Sequence, residues 1–196
     1  MITENKILMQ QAREALLGNW ALAIQVTVIY ILGLGVIHVI PILGSIISLV
    51  IGGPFVVGMA IFSLAISRKQ DASVSQLFNG FSKFALAFGA YILMLVFTIL
   101  WMLLLIVPGI IAAFSYSQTF FIIAENDSID AMTAIDRSKA MMQGHKWKYF
   151  CLCWRFFGWF ILSCLTCGIG FLWLIPYVMV SFAKFYEDIK IDAPVV

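Results

Sequence analysis

Charge is what this sequence has least of. Only 11% of its 196 residues are charged and 63% are hydrophobic, whereas soluble domains carry about 25% charged residues. Asp, Glu, Lys and Arg are absent from residues 15–67, 84–124 and 156–183. A surface facing water cannot be built from such runs, so the sequence predicts a membrane protein whose exposed surface contacts lipid. The net charge of +2 is too small to indicate nucleic acid as a partner.

Motifs for chemistry are scarce as well. The apolar runs hold no carboxylate, the usual acid of a proton or sodium relay, and the chain has no GxxxxGK[ST], HExxH or GxSxG motif. The four cysteines, at 151, 153, 164 and 167, lie in apolar sequence without a neighbouring histidine. We therefore expect no enzymatic activity, no metal and no cofactor. The cysteines are interpreted as small packing residues, with a labile Cys164–Cys167 disulfide as the alternative.

Each charge-free run has glycine or proline near its middle, at 41–44, 108–109 and 168–170. These residues interrupt helices, and about 20 residues cross a bilayer. The pattern therefore predicts an all-α, polytopic fold in which six transmembrane helices form three hairpins. The expected pairs are 20–40 with 44–67, 84–106 with 109–125, and 147–166 with 170–187. Together they would form a single integral membrane domain over residues 1–196.

Lysine and arginine are confined to the N-terminal segment, the 68–83 and 125–148 connections and the C-terminal segment, apart from Arg155. Such residues mark the cytoplasmic side of a membrane protein. We therefore expect both termini to be cytoplasmic. The first twenty residues carry four charges and no apolar core, so no signal peptide is expected.

The segments before the three hairpins resemble one another. In each, apolar residues lead to a glycine and then to an aromatic residue. The glycines are Gly18, Gly80 and Gly144, spaced by 62 and 64 positions. This period predicts a three-fold internal repeat with units of approximately 3–67, 73–125 and 128–190. Each unit would begin with a cytoplasmic amphipathic helix that lies in the headgroup plane.

Basic residues stand among aromatic ones directly before the third hairpin. His145, Lys146 and Lys148 either form a solvated collar at the headgroups or contact an anionic lipid or another ligand. Arg155 is the only charge well inside a predicted span, which makes it a further candidate contact. It either snorkels to the interface, pairs with Glu125, or binds an anion.

A polar patch lies inside the second hairpin and consists of Ser115, Tyr116, Ser117 and Gln118. Its side chains either hold helices together by hydrogen bonds or line a substrate path. Helix breaks are expected at Gly53, Pro54, Pro108, Gly109, Gly144 and Pro176. Prolines inside the second helix of a hairpin either free backbone carbonyls, as the broken helices of transporters do, or only kink the helix.

One long stretch, AIDRSKAMMQGHKWKYF at 134–150, and several short ones carry a family resemblance. The short ones are 53–54 with Gly58, 77–81, 108–110 with Tyr116, Trp159, 168–170, 176–177 and 185–186. Together they resemble the integral-membrane family catalogued as domain of unknown function 975. The resemblance implies a multi-pass protein of a bacterial (Firmicutes) plasma membrane and implies no reaction. At 154–155 the chain has Trp-Arg where the resemblance leads us to expect Leu-Ser, so a role for Arg155 would be peculiar to this protein.

These observations favour a non-catalytic integral membrane protein. It would act through lipid or through another membrane protein, as an accessory or immunity-type factor. The alternative is a small membrane transporter or channel. The expected partners are membrane lipids, another membrane protein and a second copy of the chain.

Overall fold

The computed structural model describes residues 3–37, 41–126 and 128–190, and every secondary-structure element in these ranges is helical. One of them is a short 3₁₀ helix (Gly80–Lys83). The α-helices in these ranges are α1 (Asn5–Leu16), α2 (Trp20–Ile37), α3 (Pro41–Ser67), α4 (Gln76–Asn79), α5 (Phe84–Leu104), α6 (Ile106–Tyr116), α7 (Thr119–Glu125), α8 (Ala131–Met141), α9 (Lys146–Leu165) and α10 (Phe171–Lys190). The all-α class is thereby confirmed for the described part of the chain.

Several helices are long and apolar enough to cross a membrane. Four qualify individually: Gly44–Ser67, Gln76–Leu104, Ile106–Glu125 and Lys146–Leu165. A fifth candidate is α1 together with Trp20–Gly33, a pair bent by 97° at its break. α10 is not among them, and its last two turns carry Lys184, Glu187, Asp188 and Lys190. The helices therefore suit a membrane protein, and the number of six spans stays a prediction.

Three of the predicted helix breaks are wrong. Gly53 and Pro54 lie within the continuous α3, and Pro176 lies within the continuous α10. A proline inside a helix costs about 3 kcal/mol locally, and tertiary packing offsets that cost. The backbone around Gly80 lies directly against α3, so that a Cβ added there would come within 1.9 Å of the Pro54 carbonyl oxygen.

The turn of the second hairpin also lies elsewhere than predicted. Pro108 and Gly109 are in the first turn of α6, where the N–H that proline lacks has no helical partner. The chain reverses at Leu105 instead, which is extended (φ −162°, ψ 144°). Gly144 lies in the turn between α8 and α9 with φ +77°, a backbone conformation that favours glycine.

The short helices pack lengthwise against the long ones. At one end of α1 the Thr3 N–H donates to Asp188 Oδ1 (3.2 Å), and at the other end Arg13 shares a cavity with Tyr177 of α10. In the same way α8 follows α5, because Lys139 Nζ lies 5.9 Å from the centre of the Phe97 ring and Ala131 borders Gly89. This arrangement differs from the predicted one, in which such helices lie flat across the helix ends. Their apolar faces contact protein rather than lipid.

α4 and the 3₁₀ helix approach α3 more closely than any side chain would allow. A Cβ on Gly58 would lie 1.9 Å from the Leu77 carbonyl oxygen. Phe55 of α3 packs against Phe81, with ring centres 5.1 Å apart. α4 and the 3₁₀ helix, which lie in the 68–83 connection, are therefore packed in direct backbone contact with α3.

The helix contacts follow one order around the molecule. α3 contacts α4, α7 contacts α8, and α10 contacts α1. Among the long helices, α3 contacts α5, α6 contacts α9, and α10 contacts α2. α3, α7 and α10 meet at the centre, where Phe121 stacks on Tyr186 with ring centres 5.4 Å apart. The last helix thus packs against the first two.

Candidate functional site

The C-terminal ends of α3, α7 and α10 meet in a group of ionic and hydrogen-bonding side chains, here called the ion cluster. Its members are Ser67, Arg68, Glu125, Lys184, Tyr186, Glu187 and Lys190. Glu125 is the central acceptor, since Arg68, the Tyr186 hydroxyl (2.6 Å) and Lys190 Nζ (2.6 Å) all donate to it. The carboxylate is well shielded, with 12% of its side chain exposed.

Arg68 joins the two acidic residues of the ion cluster. Its Nε donates to Glu187 Oε1 (2.7 Å), and another guanidinium nitrogen donates to Glu125. Ser67 Oγ donates to the second oxygen of Glu187 (2.7 Å). Burial alone would lower the pKa of Arg68, but the hydrogen bonds to both carboxylates outweigh it and raise that pKa. The cluster therefore fixes three helix ends relative to one another.

Lys148 belongs to a second ionic contact at the same end of the molecule. Its Nζ lies 2.5 Å from Asp188 Oδ2, and both side chains are largely buried. Asn5 Nδ2 donates to the Lys148 carbonyl oxygen (2.8 Å), and the Thr3 N–H donates to Asp188. Burial would raise the pKa of the Asp188 carboxyl, but the bonds from Lys148 and Thr3 outweigh it and lower the pKa. Lys148 thus connects α9 to α10 and α1.

The serine hydroxyls of the polar patch bond within their own helix, and the patch is joined to α8 through its backbone. Ser115 Oγ donates to the Ile111 carbonyl oxygen (2.8 Å), and Ser117 Oγ donates to that of Phe114 (2.8 Å). The helical backbone hydrogen bonds are interrupted between α6 and α7, and the hydroxyl of Ser138 in α8 bonds to the backbone there instead. Its hydroxyl donates to the Ser115 carbonyl oxygen (2.7 Å) and accepts the Gln118 N–H (3.2 Å). No glycine or proline marks this interruption, so local signals could not predict it.

A groove with a basic rim opens between the second hairpin and α8, and we call it the lysine groove. It has a volume of about 350 Å³ and is lined by Trp101, Pro108, Ile111, Ala112, Ser115, Tyr116, Lys139, Gln143 and Lys146. Two cations and one amide stand at one side, and the rest of the wall is mostly apolar. The groove therefore unites Lys146 with part of the polar patch, which the sequence placed in separate candidate sites.

The two lysines of this groove differ in their surroundings. Lys139 Nζ lies 2.9 Å from Asp136 on the exposed face of α8 and 5.7 Å from the centre of the Tyr116 ring. Exposed pairs of this kind contribute only about 0.3–0.5 kcal/mol, so another anion can compete for Lys139. Lys146 has no acidic partner among the described residues. The groove thus carries uncompensated positive charge.

A second, similar cavity lies between the third hairpin and α1, and we call it the arginine cleft. Its volume is about 370 Å³, and its lining consists of Arg13, Trp20, Trp159, Leu162, Ser163, Thr166, Gly170, Trp173, Leu174 and Tyr177. Aromatic rings make up much of its wall. Arg13 is exposed and, within the described ranges, makes no ion pair.

His145 and Arg155 lie outside both cavities. His145 is half-buried and is the N-cap residue directly before α9, where its carbonyl oxygen accepts the Tyr149 N–H (3.0 Å). Arg155 is exposed on α9 and has no hydrogen bond or ion pair with the described residues. The suggested Arg155–Glu125 pair is wrong, because Glu125 is occupied by Arg68, Tyr186 and Lys190.

Sequence reasoning missed the ion cluster and most of the lysine groove. Arg68 was used only as a marker of topology, Glu125 was considered only as a partner of Arg155, and Glu187 was not singled out. Each charge-free run nevertheless ends at one of these three residues or a few residues before it, which was an available signal. In the part of the chain that the structure describes, no three His, Cys, Asp or Glu side chains are grouped to hold a metal. The four cysteines carry no disulfide.

Comparison with known proteins identifies a family and nothing more specific. No curated protein and no solved structure matches the chain. One family model does, and its match covers residues 92–193. The matched range contains the long stretch at 134–150, the lysine groove, and the hairpin side of the arginine cleft. With more than half of its length matched, the chain belongs to the family described as "Protein of unknown function (DUF975)".

Proposed function

We propose that this protein is a non-catalytic, multi-pass protein of the bacterial plasma membrane that binds an anionic phospholipid in the lysine groove. The observation that carries this proposal is the groove itself. Lys139, Gln143 and Lys146 stand beside an apolar wall, so that a phosphate and an acyl chain of one molecule can be held together. Bound lipid would be the means by which the protein acts as an accessory or immunity-type factor.

The position of the basic rim favours a bound anion, and the apolar wall of the groove favours an anion that carries acyl chains. Lys139 lies over the ring of Tyr116, which precedes the end of α7 at Glu125 by nine residues, or roughly 13 Å of helix. A cation at that distance from the helix ends is costly in a bilayer unless an anion accompanies it. Asp136 is exposed and compensates the charge of Lys139 only in part. A lipid phosphate would compensate Lys146 as well.

Selective lipid binding tests the proposal. The purified protein would be titrated with phosphatidylglycerol and, separately, with phosphatidylcholine, and binding would be followed by native mass spectrometry. A basic residue near a membrane surface contributes about 1 kcal/mol toward anionic lipid, so Lys146→Gln should weaken phosphatidylglycerol binding roughly five-fold. Lys6→Gln is the matched control, since Lys6 is exposed on α1 and outside both cavities. Equal binding of both lipids by the wild type would refute the proposal.

The proposal includes the six-span topology with three repeated units and cytoplasmic termini. It is supported by the meeting of three helix ends in the ion cluster, because all of these charges then lie on one side. Cysteine labelling in a cysteine-free background tests it. Position 75 should be labelled from the cytoplasm and positions 42 and 168 from outside; residues 38–40 beside position 42 lie outside the described ranges. External labelling at 75 would overturn the hairpin scheme.

A small transporter or channel is the second candidate. It is favoured by two buried polar atoms without a hydrogen-bond partner, Gln118 Oε1 in the polar patch and Thr119 Oγ1 directly after it. Buried atoms of this kind call for water or a solute. Against it, the serine hydroxyls of the patch are bonded to backbone carbonyls. Flux of a tracer ion into liposomes decides between the two, because a lipid-binding protein without a path gives none.

A further inference from the structure

The lysine groove and the arginine cleft occupy corresponding places in the sequence. Arg13, Gly18 and Trp20 are followed, after the same interval of 126 positions, by Lys139, Gly144 and Lys146. The two glycines also share a left-handed backbone, with φ +87° at Gly18 and φ +77° at Gly144. In each cavity the cation therefore stands five residues before a glycine that turns the chain from a short helix into a long one.

The opposite walls correspond as well. Five lining positions of the lysine groove recur in the arginine cleft after an interval of 62: Trp101 with Ser163, Pro108 with Gly170, Ile111 with Trp173, Ala112 with Leu174, and Ser115 with Tyr177. Each wall is the turn end of a hairpin, and each is closed by the short helix of the following unit. For the third hairpin that following unit is the first one, because α1 packs on α10.

From this correspondence we infer that the arginine cleft is a second binding site for an anionic phospholipid, equivalent to the lysine groove. The inference rests on the lipid-binding function proposed above. Arg13 would meet the phosphate, and a guanidinium can donate two parallel hydrogen bonds to it. The aromatic wall, which includes Trp159 and Trp173, would contact the acyl chains.

The cation of the arginine cleft is the less compensated of the two. Asp136, which pairs with Lys139 (2.9 Å), has Gln10 as its counterpart, again at an interval of 126. The Gln10 amide donates to Glu14 (2.9 Å) rather than carrying a charge of its own. Arg13 consequently keeps its full charge toward the cleft. We expect the arginine cleft to bind the anionic lipid at least as tightly as the lysine groove does.

The remaining interface, between α3 and α4, lacks the features of a site. The positions that correspond to Arg13 and Trp20 there, at an interval of 62, are Ser75 and Ser82, and neither is basic. Phe55 directly follows Pro54, just as Tyr177 of the arginine cleft directly follows Pro176. The Phe55 ring packs against Phe81, with ring centres 5.1 Å apart. α4 also lies too close to α3 to leave a groove. The structure therefore predicts two lipid sites in three units.

Counting bound lipid tests the inference. Wild-type protein titrated with phosphatidylglycerol should bind two molecules, resolved by native mass spectrometry. Arg13→Gln should leave one, Lys139→Gln with Lys146→Gln should leave one, and the three changes together should leave none. Lys6→Gln should still bind two. Arg13→Lys should restore most of the binding lost in Arg13→Gln if charge is what matters.

A variant that should bind lipid more tightly separates a true binding site from binding that is lost because a variant misfolds. Trp20→Lys places in the cleft the lysine that the groove carries as Lys146, and it should tighten phosphatidylglycerol binding several-fold without affecting phosphatidylcholine. If Arg13→Gln still binds two lipids and Trp20→Lys changes nothing, the second site is refuted while the lysine groove stands. If only the Arg13 change reduces the count, the cleft is supported and the groove is refuted. If no variant changes the count, both are refuted.

Discussion

Neutralising Glu125 should loosen the ends of α3, α7 and α10 at once. In Glu125→Gln the side chain keeps its size but loses the charge that Arg68, Tyr186 and Lys190 share. A hydrogen bond to a charged group contributes about 1.5–3 kcal/mol. Lys190 adds little, because half of its side chain is exposed, and Arg68 retains Glu187. We expect a loss of about 2–3 kcal/mol in the free energy of unfolding.

The loss is measured as a melting temperature in detergent. For a chain of this length 1 kcal/mol corresponds to roughly 2–4 °C, so Glu125→Gln should melt roughly 4–12 °C below the wild type. Glu4→Gln is the matched control, since the Glu4 side chain is exposed and makes no cap bond, and it should melt within about 1 °C of the wild type.

A double-mutant cycle assigns the effect to the ion cluster. Tyr186→Phe removes only the hydroxyl that lies 2.6 Å from Glu125. Its effect should be smaller in the Glu125→Gln background than in the wild type, with a coupling of at least about 0.5 kcal/mol. Additive effects, or a Glu125→Gln protein as stable as the control, would show that the cluster does not hold the three helix ends together.

Three further changes test other parts of the structure. Gly58→Ala should lower the melting temperature markedly, because its Cβ would collide with the Leu77 carbonyl oxygen, whereas Gly158→Ala, which meets nothing within 4 Å, should be neutral or slightly stabilising; equal effects would contradict the close packing of α4. The lowered pKa of Asp188 means that its carboxylate stabilises the fold above the unfolded-state pKa of about 3.9 and stops doing so as pH falls through the folded-state value. The stability difference between wild type and Asp188→Asn should therefore be constant from about pH 7 to pH 5 and shrink below about pH 4; a difference that grows on acidification would reverse the sign of this reasoning. Arg155→Lys and Arg155→Leu should both melt close to the wild type, because Arg155 is exposed and unpaired within the described chain, and a large loss in either would reveal a contact that the fold does not account for.

The bounds of several long helices could be predicted because their signals are local. Charge-free runs with glycine near their middle predict α2 with α3 and α9 with α10, whose observed bounds lie close to the expected ones. Proline is a weaker guide. Pro176 does not interrupt α10. Whether a helix tolerates the missing hydrogen bond depends on the packing around the proline, and that packing comes from distant parts of the chain. The reversal at Leu105 has no signal, because apolar residues flank it on both sides.

The candidate sites were predictable only in part, for the same reason. Lys146 was identified from its neighbours in sequence, but its groove is completed by Trp101 and Pro108 from another hairpin. Arg13 was not among the candidate residues, because only the lengthwise packing of α1 brings it to a cavity. Glu125 was given the wrong partner, because the choice between Arg155 and Arg68 depends on which helix ends meet.

The contact between α1 and α10 sets a condition on how the protein is made. α1 is synthesised before α10, yet the surface that buries Leu8, Ala12 and Leu16 includes α10. Until then α1 can pack only on α3 and α9, with which it makes smaller contacts, and the ionic contact of Asp188 with Lys148 and Thr3 cannot form. The packing of α1 is thus completed only by α10. A chain interrupted before α10 would leave its N-terminal helix open to membrane proteases and chaperones, so that incomplete chains can be recognised and removed at their beginning rather than at their truncated end.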